Sequence, residues 1–192
     1  YADEIRSMDE VPLGDATVMS QARQNALTPD LVLEDLKAGN MRYVAGKTTR
    51  RDYMDQARAT ARGQFPKAIV LGCLDSRVPP EVVFDQGIGD LFVGRVAGNV
   101  EDTQMLGSME FGSKVAGAKL IVVLGHTKCG AVKGAVDQVR LDNLTNLVAQ
   151  IEPAVDAVIR PGEERSSSNA SLVERAVEEN VRMTVQQIRQ RS

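Results

Sequence analysis

Every cysteine and histidine in the 192-residue sequence falls inside two short windows, Cys73-Leu-Asp75-Ser-Arg77 and His126-Thr-Lys-Cys129. The chain has one histidine and two cysteines in all. Two thiolates, one imidazole and a nearby carboxylate make a donor set suited to zinc. His126 and Cys129 share one loop, at a spacing that lets both side chains converge on an ion. Cys73, His126 and Cys129 leave a fourth tetrahedral position. A site with three protein ligands and an open position is catalytic; a site with four is closed and structural. Asp75 bears on which it is. Two residues after Cys73, it can point to the same side and coordinate the metal. Arg77 can instead hold it in a bidentate, charge-assisted pair. Off the metal, the Asp75 carboxylate can orient a zinc-bound hydroxide; on the metal, it blocks the nucleophile. The dyad is a candidate switch.

Other readings apply to these residues singly. A cysteine at a strand end is usually a small buried hydrophobe, and a lone histidine is more often a core or surface residue. Asp75 and Arg77 alone could be an ordinary salt bridge. Cys73 and Cys129 could form a redox pair, although neither window holds a C-x-x-C motif. The joint placement of all five residues favours zinc. A non-catalytic zinc protein with Asp75 permanently coordinated stays open as an alternative, as does a thiol redox enzyme.

The elements that must position the windows can be read from periodicity. Residues 67–72, 90–94 and 119–125 are short apolar runs that read as buried strands, and each window directly follows one of them. Between the second and third runs, Thr103 to Val115 is helix-like and closed by Gly117. Strands alternating with helices predict an α/β fold with a central, mostly parallel sheet of about four strands flanked by helices. In such sheets sites form beyond the carboxyl ends of strands, near a topological switch point. Upstream, Thr28-Pro29-Asp30 starts a helix, with Thr28 as N-cap and Pro29 in the first turn. Leu31, Leu33 and Leu36 follow, with Gly39 as the stop. A second helix is expected from about Asp52 to Arg62. After Cys129 the chain reads as helical: 131–139, then 143–159 interrupted at Pro153, then about Asn169 to Gln190. That last helix carries Leu172, Val173, Ala176, Val181 and Val185 along one side. Residues 1–27 read as an arm packed on a neighbour, and 28–192 as one catalytic domain.

Composition narrows the class. Hydrophobic content of 43% and charged content of 26% are those of a soluble globular protein. A net charge of −3 gives no broad footprint for nucleic acid. No run reaches the roughly 20 apolar residues of a membrane helix. Tyr1-Ala-Asp-Glu suits the start of a mature exported chain or an arbitrary boundary, so cytoplasmic and periplasmic locations both stay open.

From about Leu31 to Arg189 the sequence resembles the β-class carbonic anhydrases. Three blocks in order carry the likeness: Cys73-Leu-Asp-Ser-Arg-Val-Pro-Pro-Glu81, Phe92-Val-Gly-Arg-Val-Ala-Gly-Asn99 and Gly125-His-Thr-Lys-Cys-Gly130. Gly39-Asn40-Met-Arg-Tyr43 matches the N-terminal helical region. The resemblance implies one zinc per chain on Cys73, His126 and Cys129, with Asp75 and Arg77 as the catalytic dyad. It implies CO2 hydration to bicarbonate by zinc-bound hydroxide. It also implies Gln64 as a hydrogen-bond donor to substrate, Phe92 and Phe111 in the apolar CO2 pocket, and a homodimer or larger homo-oligomer completing that pocket. A related hydrolase acting on CS2 is the neighbouring alternative. There are two departures. Some members bind inhibitory bicarbonate near a tryptophan before the first zinc cysteine. Here Val70 stands in its place and the chain has no tryptophan, so that site is expected to be absent and the resting centre open, although Arg95 matches the arginine of that region. The family's final strand is also expected to be missing after the last helix.

Overall fold

Ser20, Thr28, Asp52 and Asn169 each begin a helix by accepting a hydrogen bond from a backbone N–H of the first turn, satisfying donors that helix geometry leaves unpaired. The computed structural model describes residues 14–192. In chain order it runs α1 (Gln21–Ala26), α2 (Pro29–Val44), α3 (Tyr53–Thr60), β1 (Ala68–Gly72), α4 (Pro80–Val83), β2 (Leu91–Arg95), a 3-10 turn (Ala97–Asn99), α5 (Thr103–Glu110), a π turn (Phe111–Val115), β3 (Leu120–Leu124), α6 (Gly130–Val136), α7 (Asp142–Val158) and α8 (Ala170–Arg191). Much of the expected arm, residues 1–13, lies outside the described residues. Its described part is tied to its own chain: buried Gln24 donates to the Pro66 and Ala116 carbonyls at 2.7 and 2.8 Å.

The parallel sheet holds three strands among the described residues, in the order β2-β1-β3. The expectation of about four is corrected to three, because the apolar sequence beyond β3 recurs at helical spacing and is taken up by α6, α7 and α8. The chain leaves β1 for one neighbour and returns on its other side, so β1 and β3 flank the switch point. Each ends where a ligand window begins.

Contacts divide the chain into two compact units. The first holds the described residues up to Val70 together with Pro79–Val93 and Met109–Val122. Its core joins Val32, Leu36 and Ala68, with Phe84, Leu91 and Leu120 packed against them. Gly39 does not stop α2. A Cβ there would meet the Phe84 carbonyl oxygen at 1.8 Å, so the glycine allows close approach within a helix that continues to Val44.

The second unit holds Leu71–Val78, Gly94–Ser108 and Val123–Ser192. Val132, Ala135 and Val136 of α6, Val148, Ile151 and Val155 of α7, and Leu172, Val173 and Ala176 of α8 form one cluster that includes Cys73 and Cys129. Pro153 lies inside α7 without ending it. It sits on the exposed side, where the carbonyl deprived of a partner can turn to water. On α8 the buried polar residues are Asn180 and Thr184, whereas Val185 is exposed. Leu172, Val173 and Ala176 are buried, and beyond them the buried face follows Asn180, Thr184 and Ile188 in place of Val185.

Candidate metal centre

The centre is assembled within the second unit from two strand ends. Cys73 directly follows β1, and His126 lies just past β3. Cys129 is the N-cap of α6, reached through Lys128 in a left-handed conformation, φ +58°. One donor atom from each of Cys73, His126 and Cys129 falls within 4.8 Å of the other two. The two sulfurs stand 3.8 Å apart as free thiols. That is far beyond the ~2.05 Å of a disulfide, and fits two ligands sharing an ion.

The imidazole is set for coordination. With His126 Nδ1–H donating to the Thr127 carbonyl at 2.9 Å, Nε2 carries the lone pair. This is the usual arrangement of a metal-ligating histidine, whose other nitrogen is fixed by a backbone carbonyl. The side chain is 8% exposed, yet Nε2 is buried with no hydrogen-bond partner. A buried polar atom in that condition costs on the order of 1–3 kcal/mol. Burial pushes the Cys129 thiol up, Cys73 beside it adds to the rise, and the Val132 and Ala131 N–H groups offset only part of it. Two neighbouring buried thiols and an unpartnered imidazole nitrogen are what a divalent cation would neutralise and satisfy together. The residues present fit zinc.

Asp75 stands at the edge of this group and is not part of it. Its Oδ1 accepts from the Arg77 backbone N–H and Nε, both at 2.9 Å, and its Oδ2 from an Arg77 terminal nitrogen at 2.7 Å. These hydrogen bonds hold the carboxyl well below the usual carboxylate range. Oδ2 is 3.9 Å from His126 Nε2, beyond hydrogen-bond reach. The geometry thus shows Asp75 engaged by Arg77, its charge facing the imidazole.

Sequence reasoning missed what holds the first window in place. Arg95, at the end of β2, donates through Nε to the Cys73 carbonyl at 2.9 Å and through a terminal nitrogen to the Asp75 carbonyl. It braces the Cys73–Asp75 backbone. The Gly98 N–H donates to Cys73 Sγ at 3.3 Å. Nothing local in the sequence marks either contact, since each joins residues twenty or more positions apart.

The residues expected to touch substrate belong to the first unit. Gln64 is exposed in the segment before β1. Phe92 on β2 and Phe111 at the start of the π turn have ring centroids 6.4 Å apart at 57°, and Phe111 is 53% exposed.

Comparison with known proteins places this geometry. The carbonic anhydrase family model matches residues 68–192, more than half of the chain and all of both ligand windows. The chain belongs to the carbonic anhydrase family. Carbonic anhydrase 2 of Mycobacterium tuberculosis is 44% identical over 126 residues, covering 62% of this chain and 61% of that protein. The chain thus spans about three fifths of the length of that relative. A carbonic anhydrase of Mycolicibacterium smegmatis is 39% identical over 163 residues, covering 82% of this chain and 76% of its own. Among solved structures, the β-carbonic anhydrase CafA of Aspergillus fumigatus superposes with a TM-score of 0.65 at 24% identity, over 85% of this chain and 75% of that one. That likeness bears on the fold.

Proposed function

We propose that the chain is a carbonic anhydrase, a lyase that reversibly hydrates CO2 to bicarbonate and a proton at one zinc ion held by Cys73, His126 and Cys129. The observation that carries this is the buried, unpartnered His126 Nε2 facing two free thiols, in a chain of this family. Zinc supplies Lewis acidity there, making water a nucleophile near neutral pH.

The chain's own residues do the rest. Arg77 keeps the Asp75 carboxylate ionised and turned to itself, which would leave a bound ion free to take water. Asp75 is then free to accept a hydrogen bond from the O–H of the reacting water and to fix its orientation. Gln64 donates to the oxygen that gains charge, and Phe92 and Phe111 provide an apolar surface for CO2. Those three roles rest on the family resemblance, as does a homodimer or larger homo-oligomer. Phe111 exposed on an isolated chain agrees with a surface that a second copy covers.

The product proton must also leave. The usual shuttle near neutral pH is a histidine, and the single histidine here is committed to the metal. Turnover should therefore depend steeply on buffer concentration. The deciding experiment is stopped-flow CO2 hydration on metal-quantified protein from about pH 6.5 to 9. One zinc per chain with activity rising through that range supports the reading. One zinc per chain with no activity at any pH removes it, in favour of a non-catalytic zinc protein. Preferential turnover of CS2 in the same apparatus would move the reading to the related hydrolase.

A further inference from the structure

The Gly98 N–H that meets the Cys73 sulfur is held by a residue on the last helix. Gly98 sits at φ +73° inside the 3-10 turn, and Asn99 beside it is also left-handed, at φ +46°. A Cβ at Gly98 would come within 2.4 Å of Ile151 Cδ1 and 3.2 Å of Ala131 Cβ, so this residue must be glycine on both conformational and steric grounds. Glycine adopts this conformation freely, whereas Asn99 at positive φ makes the turn costly to hold. Here α8 grips it. The Asn180 side-chain amide donates to the Gly98 carbonyl at 2.7 Å, and Asn180 is 3% exposed. Because a carbonyl only accepts, the amide nitrogen and not its oxygen faces Gly98. Further along the helix, Arg191 forms a bidentate pair with Glu101 at 2.6 and 2.7 Å. The helix thus fixes both ends of the short segment that presents the N–H to sulfur.

We propose that Asn180 is a positioning residue for the metal centre: it holds Gly98 in the left-handed conformation that aims the Gly98 N–H at Cys73 Sγ, and so limits the charge that sulfur gives to a bound metal. The inference rests on the zinc reading above. Two thiolates donate more charge to zinc than imidazoles would, which weakens its Lewis acidity. A hydrogen bond to one of the sulfurs takes part of that charge back, the kind of tuning that groups behind the ligands exert. Cys129 has N–H donors from the first turn of its own helix. Cys73 follows a strand and has no such helix, and the Gly98 amide supplies the equivalent.

The test uses the full chain loaded with an NMR-active cadmium isotope. A scalar coupling between cadmium and the Gly98 amide proton, transmitted through Cys73 Sγ, is the expected result. In Asn180→Leu, of similar shape but without the donor, that coupling should shrink. The sulfur-to-metal charge-transfer band of the cobalt-substituted protein should shift, and zinc affinity should fall about 10-fold. Ala176→Gly, a buried change on the same helix, should lower stability while leaving coupling and band in place. If Asn180→Leu does not fold, Asn180→Ser carries the same comparison. Cadmium-loaded wild-type protein without the coupling overturns the proposal. So does an Asn180 variant with wild-type coupling and band, or the same spectral shift in Ala176→Gly. Failure of the zinc reading itself shows differently, as a missing cadmium resonance and not a missing coupling.

Discussion

Two buried polar clusters, one in each unit, treat their charges in opposite ways. In the first unit the Asp85 carboxylate is closed off. Its Oδ2 accepts from Arg42 Nε at 2.5 Å and Thr49 Oγ1 at 2.7 Å, and its Oδ1 from Arg51 and the Thr49 N–H. Arg51 also donates to the Asp85 backbone carbonyl at 2.6 Å. Every oxygen of the Asp85 side chain is engaged; the atom left unpartnered in this cluster is Arg51 Nε, an N–H with no lone pair to offer a metal. In the second unit His126 Nε2 lies buried beside two free thiols and makes no hydrogen bond. The first cluster uses every lone pair of its buried carboxylate and holds a fold together. The second leaves a buried lone pair unused beside two thiol sulfurs, a grouping suited to something that binds. Charge density does not separate the two cases, since Asp85 with its arginines is the more strongly charged. The state of the last lone pair does.

The contrast predicts distinct failures. The largest effect is expected from Cys129→Ala, which removes one of the three grouped donors: on the proposed reading, zinc content measured by elemental analysis should fall to background and CO2 hydration with it. Asp85→Ala breaks the other cluster and leaves two buried guanidinium groups uncompensated, which should cost about 3–5 kcal/mol of stability in denaturant titration. Zinc per folded chain should stay at the wild-type level. A loss of metal in Asp85→Ala at matched folding would erase the distinction between the clusters. Asp75→Ala lies between them. It should retain zinc while hydration falls about 10–100-fold, as expected for a group acting behind the ligands; full activity in this variant would remove the orienting role.

The smallest effect is set by pH. Burial alone would raise the Asp85 carboxyl, but hydrogen bonds from Arg42, Arg51 and Thr49 outweigh it and the net shift is downward. Glu163, paired with Arg175 at 2.7 Å, is lowered to about 2, with the Arg175 hydrogen bond the largest cause. A folded state with lowered carboxyl values binds fewer protons than the unfolded chain. These groups therefore stabilise fully above the ordinary carboxylate range, near ~4, and lose that contribution as pH falls through their folded values. Thermal stability should be flat from neutrality to about pH 5 and decline below it. A decline that begins near neutrality would show that neither pair controls acid unfolding.

How much of this could be read from sequence depends on the distance over which each fact is decided. The caps at Thr28, Asp52 and Asn169 and the apolar strand runs are local, and the structure has them within a residue or two. Both ligand windows were legible because strand ends are where parallel sheets collect their chemistry, and because no other cysteine or histidine competes. Gly39 was misread because its role depends on the Phe84 carbonyl, which no neighbouring residue announces. Pro153 was misread because a helix tolerates proline when the freed carbonyl faces water. On α8, Val181 and Val185 drew attention as apolar residues, while the side chains at the buried turn are Asn180 and Thr184. Polar residues acquire that position from partners eighty positions away, as Asn180 does from Gly98. The expected fourth strand had no apolar run of its own behind it, since only 67–72, 90–94 and 119–125 read as strands.

Cys129 is both a donor of the centre and a member of the apolar cluster that joins α6, α7 and α8. An ion bound to it would be anchored in the hydrophobic interior of that unit, so occupancy and folding would share one equilibrium. Each tenfold rise in free zinc above its dissociation constant would add about 1.4 kcal/mol to the folded state. A cell short of zinc would then hold fewer intact copies of the chain as well as less active ones, and metal supply would govern how long each molecule survives.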